Sequence, residues 1–592
     1  MKVEGLQVCG EGGPIVDDVS FEIAEGEVLA LIGESGSGKT TIALALMGYV
    51  RGACRITRGV VSFEGRDLAQ ARPHELEQLR GARIAYIAQS AAAAFNPSRT
   101  LLDQVVEPAL IHGLMSRREA EAKAVELFLS LRLPDPERIG GRYPHQVSGG
   151  QLQRLMAAMA LITDPTLVIL DEPTTALDVT TQIEALRVFK SVVRERGVTA
   201  VYVSHDLAVV AQMADRILVL QHGQMREIGS AERILHAPAD EYTRTLMAAA
   251  RPKAAAAVAP PSADGPILEV KSLSAGYGRR GGHKVLHDVE LTLARGASLG
   301  VIGESGSGKS TLARVIAGLL RPSAGEVRLA GEPLPQTYER RSLEQLRRIQ
   351  IVFQNADTAL NPAQSVGQIL GRPVALYRRG DPGKRVRELL DLMRLPASYA
   401  ERRCGELSGG QKQRVNLARA LAAEPDVVLC DEVTSALDTV VAAAMLDLLA
   451  ELRRELSLSL VFISHDIATV RAVCDEVAVL YAGRRVELAP TRDFAGPPHH
   501  PYADLLLAST PEMRRGWLEE TRASQGGGAA PPADPRLCPF LPRCPVAVAG
   551  VCDREPAPVR RLGASGQALC HHTAAELEAF QRAPAARAAA GI

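Results

Sequence analysis

Two glycine-rich octets, GESGSGKT from Gly33 to Thr40 and GESGSGKS from Gly303 to Ser310, carry residue types suited to holding a polyphosphate. Gly36, Gly38, Gly306 and Gly308 lack the Cβ that would keep backbone N–H groups away from phosphate oxygens. A helix beginning near Lys39 or Lys309 would turn its positive dipole end toward the same anion. Lys39 and Lys309 can reach the β- and γ-phosphates of ATP, while Thr40 and Ser310 can hold Mg²⁺. Gly33, Ser35, Ser37 and Thr41 complete the expected nucleotide contacts of the first loop. Gly303, Ser305, Ser307 and Thr311 do so for the second.

Each octet is followed by the same residues in the same order. A glutamine comes first (Gln89, Gln354), then SGGQ (Ser148 to Gln151, Ser408 to Gln411), an apolar run ending in Asp-Glu, and Ser-His-Asp. The interval from Ser148 to Asp171 equals that from Ser408 to Asp431, and the interval from Glu172 to His205 equals that from Glu432 to His465. This register marks the duplication of a whole ATP-hydrolysing domain rather than a chance pair of loops. Asp171 and Asp431 are expected to bind Mg²⁺ through water, and Glu172 and Glu432 to polarise the attacking water. A lone histidine at a strand end is more often structural. The repeated offset instead assigns His205 and His465 to reading the γ-phosphate.

These groups need a scaffold that brings them to one edge. EVLALIGE (Glu27 to Glu34) and ASLGVIGE (Ala297 to Glu304) read as buried strands ending in glycine, each followed by a helical pattern. TLVILDE and DVVLCDE read as strands delivering carboxylates at their C-terminal ends, and AVYVSHD and LVFISHD deliver the histidines. Alternating strands and helices with polar residues at strand ends predict an α/β fold, two tandem P-loop domains with a parallel sheet each. The expected boundaries are 1–250 for the first domain, an Ala/Pro linker at 251–266, and 267–511 for the second domain. A flexible connector follows at 512–535, then a four-cysteine segment at 536–572 and an Ala-rich tail at 573–592.

With 592 residues, 46% of them hydrophobic, the chain can bury several cores. Lys+Arg and Asp+Glu both number 68, so net charge gives no reason to expect nucleic-acid binding. No run approaches the ~18–20 apolar residues of a membrane span, and the N-terminus lacks a signal-type apolar run. The expectation is a peripheral protein of the cytoplasmic face whose membrane contact comes through partners.

Together these motifs resemble the ATP-binding-cassette (ABC) ATPases. The resemblance implies two cassettes, each with a parallel-sheet core, an antiparallel β subdomain and a helical subdomain. It places Gln89 and Gln354 beside nucleotide and Mg²⁺. It makes Ser148, Gly149, Gly150 and Gln151, and likewise Ser408, Gly409, Gly410 and Gln411, signature loops that close over the ATP of the opposite cassette. ALD at Ala176 to Asp178 and at Ala436 to Asp438 resembles the loop joining the two sites. Both cassettes lie on one chain, so they are expected to pair in cis, and both keep the residues for hydrolysis. The family usually stacks an aromatic residue on adenine. Tyr277 fits that role, whereas LQVCGEGGPI in the first copy has no aromatic, which predicts weaker ATP binding there. Val433, where the first copy has Pro173, is expected to matter little.

Within the superfamily, Asn96-Pro97 and Asn361-Pro362 after the glutamines, and the phrases APADEYTRTLMAA and PPHHPYADLLLAS, resemble the oligopeptide/dipeptide/nickel importer ATPases. Phe95 and Glu241 depart from the family pattern. The resemblance implies two membrane permease subunits and an extracytoplasmic binding protein as partners. The alternatives are an exporter energy subunit and a twin-cassette ATPase acting on ribosomes. Cys538, Cys544, Cys552 and Cys570, four of nine cysteines, resemble the branch's C-terminal cysteine motif. Relatives with an iron–sulfur centre imply a [4Fe–4S] cluster there, with Zn²⁺ as the alternative and His571 or His572 as substitute ligands. Such a Pro-rich segment, without a core of its own, would take its folding energy from the metal.

Overall fold

The computed structural model describes residues 1–174, 177–251, 265–278, 283–435, 437–521, 531–563 and 565–582. Most of the expected linker, part of the connector and the end of the Ala-rich tail lie outside the described residues, as do Ala176 and Ala436 of the two ALD stretches. The chain divides into two compact units. One is Met1–Arg251 with Asp438–Val440 and Pro511–Ser524; the other is Pro252–Leu437 with Val441–Thr510 and Gln525–Ile592.

In the first unit a six-stranded sheet runs in the order Gln224–Ser230, Arg216–Gln221, Val28–Gly33, Thr199–Val203, Leu167–Asp171, Ile84–Ile87. All neighbours pair in parallel except the antiparallel edge strand Gln224–Ser230. Val28–Gly33, Leu167–Asp171 and Thr199–Val203 are buried at every residue. That is why they read as unbroken apolar runs: a parallel sheet is covered on both faces. The strands Lys2–Gly10, Gly13–Glu22, Arg55–Phe63 and Arg66–Asp67 form a separate antiparallel sheet. Helices Leu101–Ile111, Arg117–Ser130 and Gly149–Leu161 pack together as the helical layer.

The second unit repeats this plan, with one addition. Its main sheet has eight strands, in the order Ile349–Val352, Val427–Asp431, Ser459–Ile463, Ser298–Ile302, Glu476–Tyr481, Arg484–Pro490, Gly566–Leu569, Val559–Leu562. The last two come from the cysteine-bearing segment, with Gly566–Leu569 pairing antiparallel to Arg484–Pro490. The segment also buries Phe540 in the cassette core and forms a small cluster of Leu562, Ala568, Cys570 and Leu577. It therefore does not lack a core, as its composition suggests; it shares one with the cassette. Gln581, in the Ala-rich tail, clamps the backbone of His499 through both its oxygen (2.9 Å) and its nitrogen (2.7 Å).

The start of the expected flexible connector is a second departure. Residues 511–521 pack as a strap within the first unit, with Trp517 and Leu518 buried in its largest core. Gln212 organises the strap. Its Nε2 donates to the carbonyls of Glu512 (2.7 Å) and Arg514 (2.8 Å), and its Oε1 accepts from Leu518 N (3.0 Å). Arg187 donates to the carbonyls of Leu518 and Thr521, while Lys190 and Asp215 pair with Glu519 and Arg515. The connector as a whole read as flexible, yet the carbonyls of its first part are met by side chains from helices far away in sequence. Trp517 is the chain's single tryptophan and so reports directly on the strap. Gln212→Ala should red-shift native tryptophan emission and, at about 1 kcal/mol for each of three hydrogen bonds, lower stability by roughly 3 kcal/mol in urea unfolding. Unchanged emission would show that the strap holds without Gln212.

Candidate nucleotide sites

Both glycine loops are strand-to-helix turns whose shape needs glycine at particular positions. Gly33 and Gly303 have φ of 145° and 153°, and a Cβ on either would overlap the carbonyl of Leu220 or Leu480. Gly38 and Gly308, at φ 97° and 101°, stand immediately before the helices Lys39–Ala45 and Lys309–Ile316 and offer no capping side chain. The N-terminal N–H groups of those helices are thus left to a ligand. Each lysine ammonium rests on carbonyls of its own loop. Lys39 Nζ lies 2.8 Å from the oxygens of both Gly33 and Glu34; Lys309 Nζ lies 2.8 Å from Gly303 O and 3.0 Å from Glu304 O. Burial lowers the pKa of Lys39, opposed by the carboxylates of Glu172 and Asp171. The buried Oγ atoms of Ser37 and Ser307 have no protein partner. Open N–H groups, a loop-held cation and orphan hydroxyls fit a bound polyphosphate.

The metal-side residues meet as expected. Thr40 Oγ1 donates to Asp171 Oδ1 at 3.1 Å, and Ser310 Oγ to Asp431 Oδ1 at 3.0 Å. This hydroxyl–carboxylate pair is the hard oxygen set that suits Mg²⁺. Burial raises the pKa of both aspartates, opposed in each by these hydrogen bonds. The Tyr86 hydroxyl, which the sequence gave no reason to single out, also donates to Asp171 Oδ2 at 2.7 Å. The matching residue of the second cassette is Ile351, so Asp431 has no such donor.

Glu172 and Glu432 each lie between a glutamine and a histidine. Gln89 Nε2 donates to Glu172 at 2.9 Å, and His205 Nδ1 lies 3.0 Å from its other oxygen. In the second cassette Gln354 Nε2 donates to Glu432 at 2.7 Å, while His465 Nδ1 stands 3.7 Å away. Both glutamates adopt φ of 50°, a left-handed backbone costly for a side chain with a Cβ. The conformation is held by Glu172 N donating to Val203 O and Glu432 N to Ile463 O, 3.0 Å each. For His205, burial works against the charged form but Glu172 outweighs it and raises the pKa; for His465 the contact with Glu432 leads and raises it.

Ser148 and Ser408 cap the helices Gly149–Leu161 and Gly409–Leu421, in reciprocal capping boxes with Gln151 and Gln411. Gly150 and Gly410 are packing glycines, since a Cβ on either would collide with Thr181 or Val441. Gly149 and Gly409 have open space around the Cβ position. Tyr277 follows the strand Pro266–Gly276, with 42% of its surface exposed and its hydroxyl hydrogen-bonded to Thr311 (3.3 Å) and Arg314 (3.1 Å). It presents a ring beside the second loop that the first cassette lacks. The tyrosines of the two terminal phrases also reach the loops. Tyr242 Oη accepts from Glu34 N (3.3 Å) and Tyr502 Oη from Glu304 N (2.8 Å).

The iron–sulfur expectation for Cys538, Cys544, Cys552 and Cys570, and its zinc alternative, find no support. Among the described residues no three His, Cys, Asp or Glu side chains gather closely enough to hold a metal ion. The four thiols do lie close enough to act on one another electrostatically, Cys538 and Cys544 each with Cys552 and Cys570. Cys538 Sγ lies 3.6 Å from His500 Nε2, Cys552 Sγ accepts from Val548 N at 3.4 Å, and Cys570 packs in the small terminal cluster. Burial, with a smaller contribution from the neighbouring thiols, pushes the Cys538 thiol up to about 11 and that of Cys544 to about 12, and also raises that of Cys570. His571 and His572 are directed to the carbonyls of Glu555 and Val546. The segment's strands and core are shared with the cassette.

Comparison with known proteins agrees with this geometry. The ABC transporter family model matches residues 16–175 and 286–435, and that of the oligopeptide/dipeptide transporter C-terminal region matches residues 486–552. The glutathione import ATP-binding protein GsiA of Escherichia coli (strain K12) is 38% identical over 543 residues, covering 84% of this chain and 86% of that protein. Its counterpart from Salmonella choleraesuis (strain SC-B67) is 37% identical over 560 residues, covering 86% and 89%. The archaeal ribosome recycling factor aABCE1, solved in complex with the ribosomal stalk protein aP1, superposes with a TM-score of 0.53 at 21% identity, over 79% of this chain and 86% of that one. At that identity the likeness is one of fold alone.

Two outcomes follow for the carboxylates and their histidines. Glu172→Gln and Glu432→Gln should each slow the turnover of their own site by about 10²–10⁴-fold while leaving MgATP binding in place, as rapid-quench and equilibrium binding would read. Because the pKa of His465 is raised above its ordinary 6.5, the stability from its contact with Glu432 is full below that value. It is lost as pH rises through the folded pKa. The urea midpoint of the unsubstituted protein minus that of His465→Gln should therefore shrink on going from about pH 6 to about pH 8. A difference that grows with pH would contradict the assignment.

Proposed function

Because this chain belongs to the ABC transporter ATP-binding family, we propose that its two cassettes pair head to tail in cis and power uptake of peptides or glutathione-like solutes through separate membrane permeases. The protein is the ATP-hydrolysing energy subunit of an importer. The observation that carries the peptide-type reading is the oligopeptide/dipeptide transporter C-terminal region joined to a twin cassette that is alike, along most of its length, to glutathione importers. No comparable feature favours the exporter or the ribosome-acting alternative.

In this reading Mg²⁺ supplies charge neutralisation and orientation of the phosphates, held beside Thr40 and Asp171 or Ser310 and Asp431. Lys39 and Lys309 turn from their loop carbonyls to the β- and γ-phosphates. Glu172 and Glu432, steadied by their glutamine and histidine neighbours, accept hydrogen bonds from the attacking water and align it. Ser148 and Ser408, at their helix N-termini, meet the γ-phosphate of the opposite site. Binding closes the cassettes and hydrolysis reopens them, driving the permeases between inward- and outward-facing states. No helix among the described residues is long and apolar enough to cross a membrane. The importer reading places the protein at the cytoplasmic face, docked on two permease subunits, with an extracytoplasmic binding protein delivering solute.

Affinity purification from detergent-solubilised native membranes tests this directly. Recovery of two polytopic permeases is the expected result; recovery of ribosomal proteins without a permease would overturn the transport reading. The two sites should also differ in affinity. With Tyr277 beside only the second loop, and stacking worth ~1–3 kcal/mol, the second site should bind MgATP about 5- to 150-fold more tightly than the first. Titrating Lys39→Ala and Lys309→Ala separately would measure this, and equal dissociation constants would refute it.

A further inference from the structure

The C-terminal arm of the second unit reaches a residue of the phosphate loop itself. Arg543 lies between Cys538 and Cys544 in sequence and is almost wholly buried, its side chain 5% exposed. Its Nη1 donates to both carboxylate oxygens of Glu304, at 3.1 and 3.0 Å, and to Tyr481 Oη at 3.4 Å. The guanidinium stands 5.6 Å from the Phe540 ring centroid and 5.8 Å from that of Tyr481. Those rings pack on each other and on Tyr502. Arg484 fixes the approach to this turn by donating to the carbonyls of Pro535, Arg536 and Leu537.

Glu304 is the second residue of the loop GESGSGKS. Its N–H is held by Tyr502, its carbonyl lies under Lys309 Nζ, and its carboxylate accepts from Arg543. A negative charge in a loop built to receive a polyphosphate opposes binding unless a cation balances it, and a mostly buried pair is screened little by salt. The first loop contains the matching Glu34 and Tyr242 contact. Among the described residues, however, no Lys, Arg or His is ion-paired with Glu34.

We propose that Arg543 is a positioning residue for the second nucleotide site alone. It neutralises and fixes Glu304, so that the C-terminal arm sets the affinity of that phosphate loop without acting on the first. This inference rests on the second loop binding ATP.

The test uses the full-length chain in two backgrounds: Lys39→Ala, in which MgATP titration reads the second loop, and Lys309→Ala, in which it reads the first. Adding Arg543→Met should raise the dissociation constant about tenfold in the Lys39→Ala background, the size of a lost partly buried charge pair, and leave the Lys309→Ala background unchanged. Arg543→Lys should recover part of the loss. Glu304→Gln, which preserves shape, should make the further change Arg543→Met nearly silent. That rescue separates charge balance from packing, because a merely structural arginine would not be replaced by removing a carboxylate. If Arg543→Met leaves second-site affinity unchanged, weakens both sites alike, or is not rescued by Glu304→Gln, the proposal fails. Should Arg543→Met not fold, the Arg543→Lys and Glu304→Gln pair carries the same comparison. If the Lys39→Ala parent itself binds no MgATP, the assignment of the second loop as an ATP site fails first, and the proposal with it.

Discussion

A left-handed glutamate at the end of a parallel strand is the constraint on which each site depends. A residue with a Cβ at φ 50° costs of order 1–3 kcal/mol and persists only where its surroundings over-determine it. Here the register of the sheet does so. Asp171 pairs with Val203 and Asp431 with Ile463, and the next N–H in each case donates to that same neighbour's carbonyl. The turn aims the carboxylate at the glutamine and histidine arriving from other strand ends. A slip of one residue in this pairing would exchange the faces of the strand and separate aspartate from hydroxyl. The buried apolar strands therefore serve chemistry as well as stability, since their packing forbids the slip.

What could be read from sequence and what could not divide along a physical line. The glycine loops, the Asp-Glu strand ends and the histidines are local signals, and the duplication fixed their offsets twice over; the structure brings them to the ends of neighbouring strands of one sheet in each unit. The contacts that were missed join residues remote in sequence and carry no periodicity. Tyr86 on Asp171, Arg543 on Glu304 and Gln212 on the strap are single side chains meeting distant backbone or carboxylate groups. The terminal phrases were visible as motifs, but nothing in their composition indicated that Tyr242 and Tyr502 would hold the second residue of each phosphate loop. At the C-terminus a Pro-rich stretch read as a segment without a core of its own, whereas two short strands and one phenylalanine let it share the cassette's sheet and core.

His500 shows how closely that segment is joined to the cassette. It is completely enclosed, and burial pushes its pKa down to about 3, so the ring is neutral. Tyr502 N donates to its Nδ1 at 3.1 Å, which leaves the proton on Nε2, the nitrogen 3.6 Å from Cys538 Sγ. The ring is thus a neutral group whose Nε2 side meets the Cys538 sulfur and whose other acceptor is the Leu569 backbone. His499 beside it contacts Glu487, whose carboxylate also accepts from His500 N at 2.6 Å. Glu487 lies on the strand that pairs with Gly566–Leu569. One buried carboxylate therefore organises the His-Pro-Tyr turn at the same sheet edge where the C-terminal strands attach.

The duplicated cassettes have diverged around a common frame, and the differences fall on different parts of the chemistry. In the first, the added tyrosine on Asp171 and the shorter His205–Glu172 distance concern the carboxylates at the strand end. In the second, Tyr277 and the Arg543–Glu304 pair concern the glycine loop. An additional donor on Asp171 occupies one of its carboxylate oxygens in the first copy, while in the second a buried guanidinium occupies both oxygens of Glu304. Sequence duplication alone predicts two equivalent sites. The side chains added around the repeated motifs instead make the surroundings of the two glycine loops and strand ends unlike, although the motifs themselves are shared.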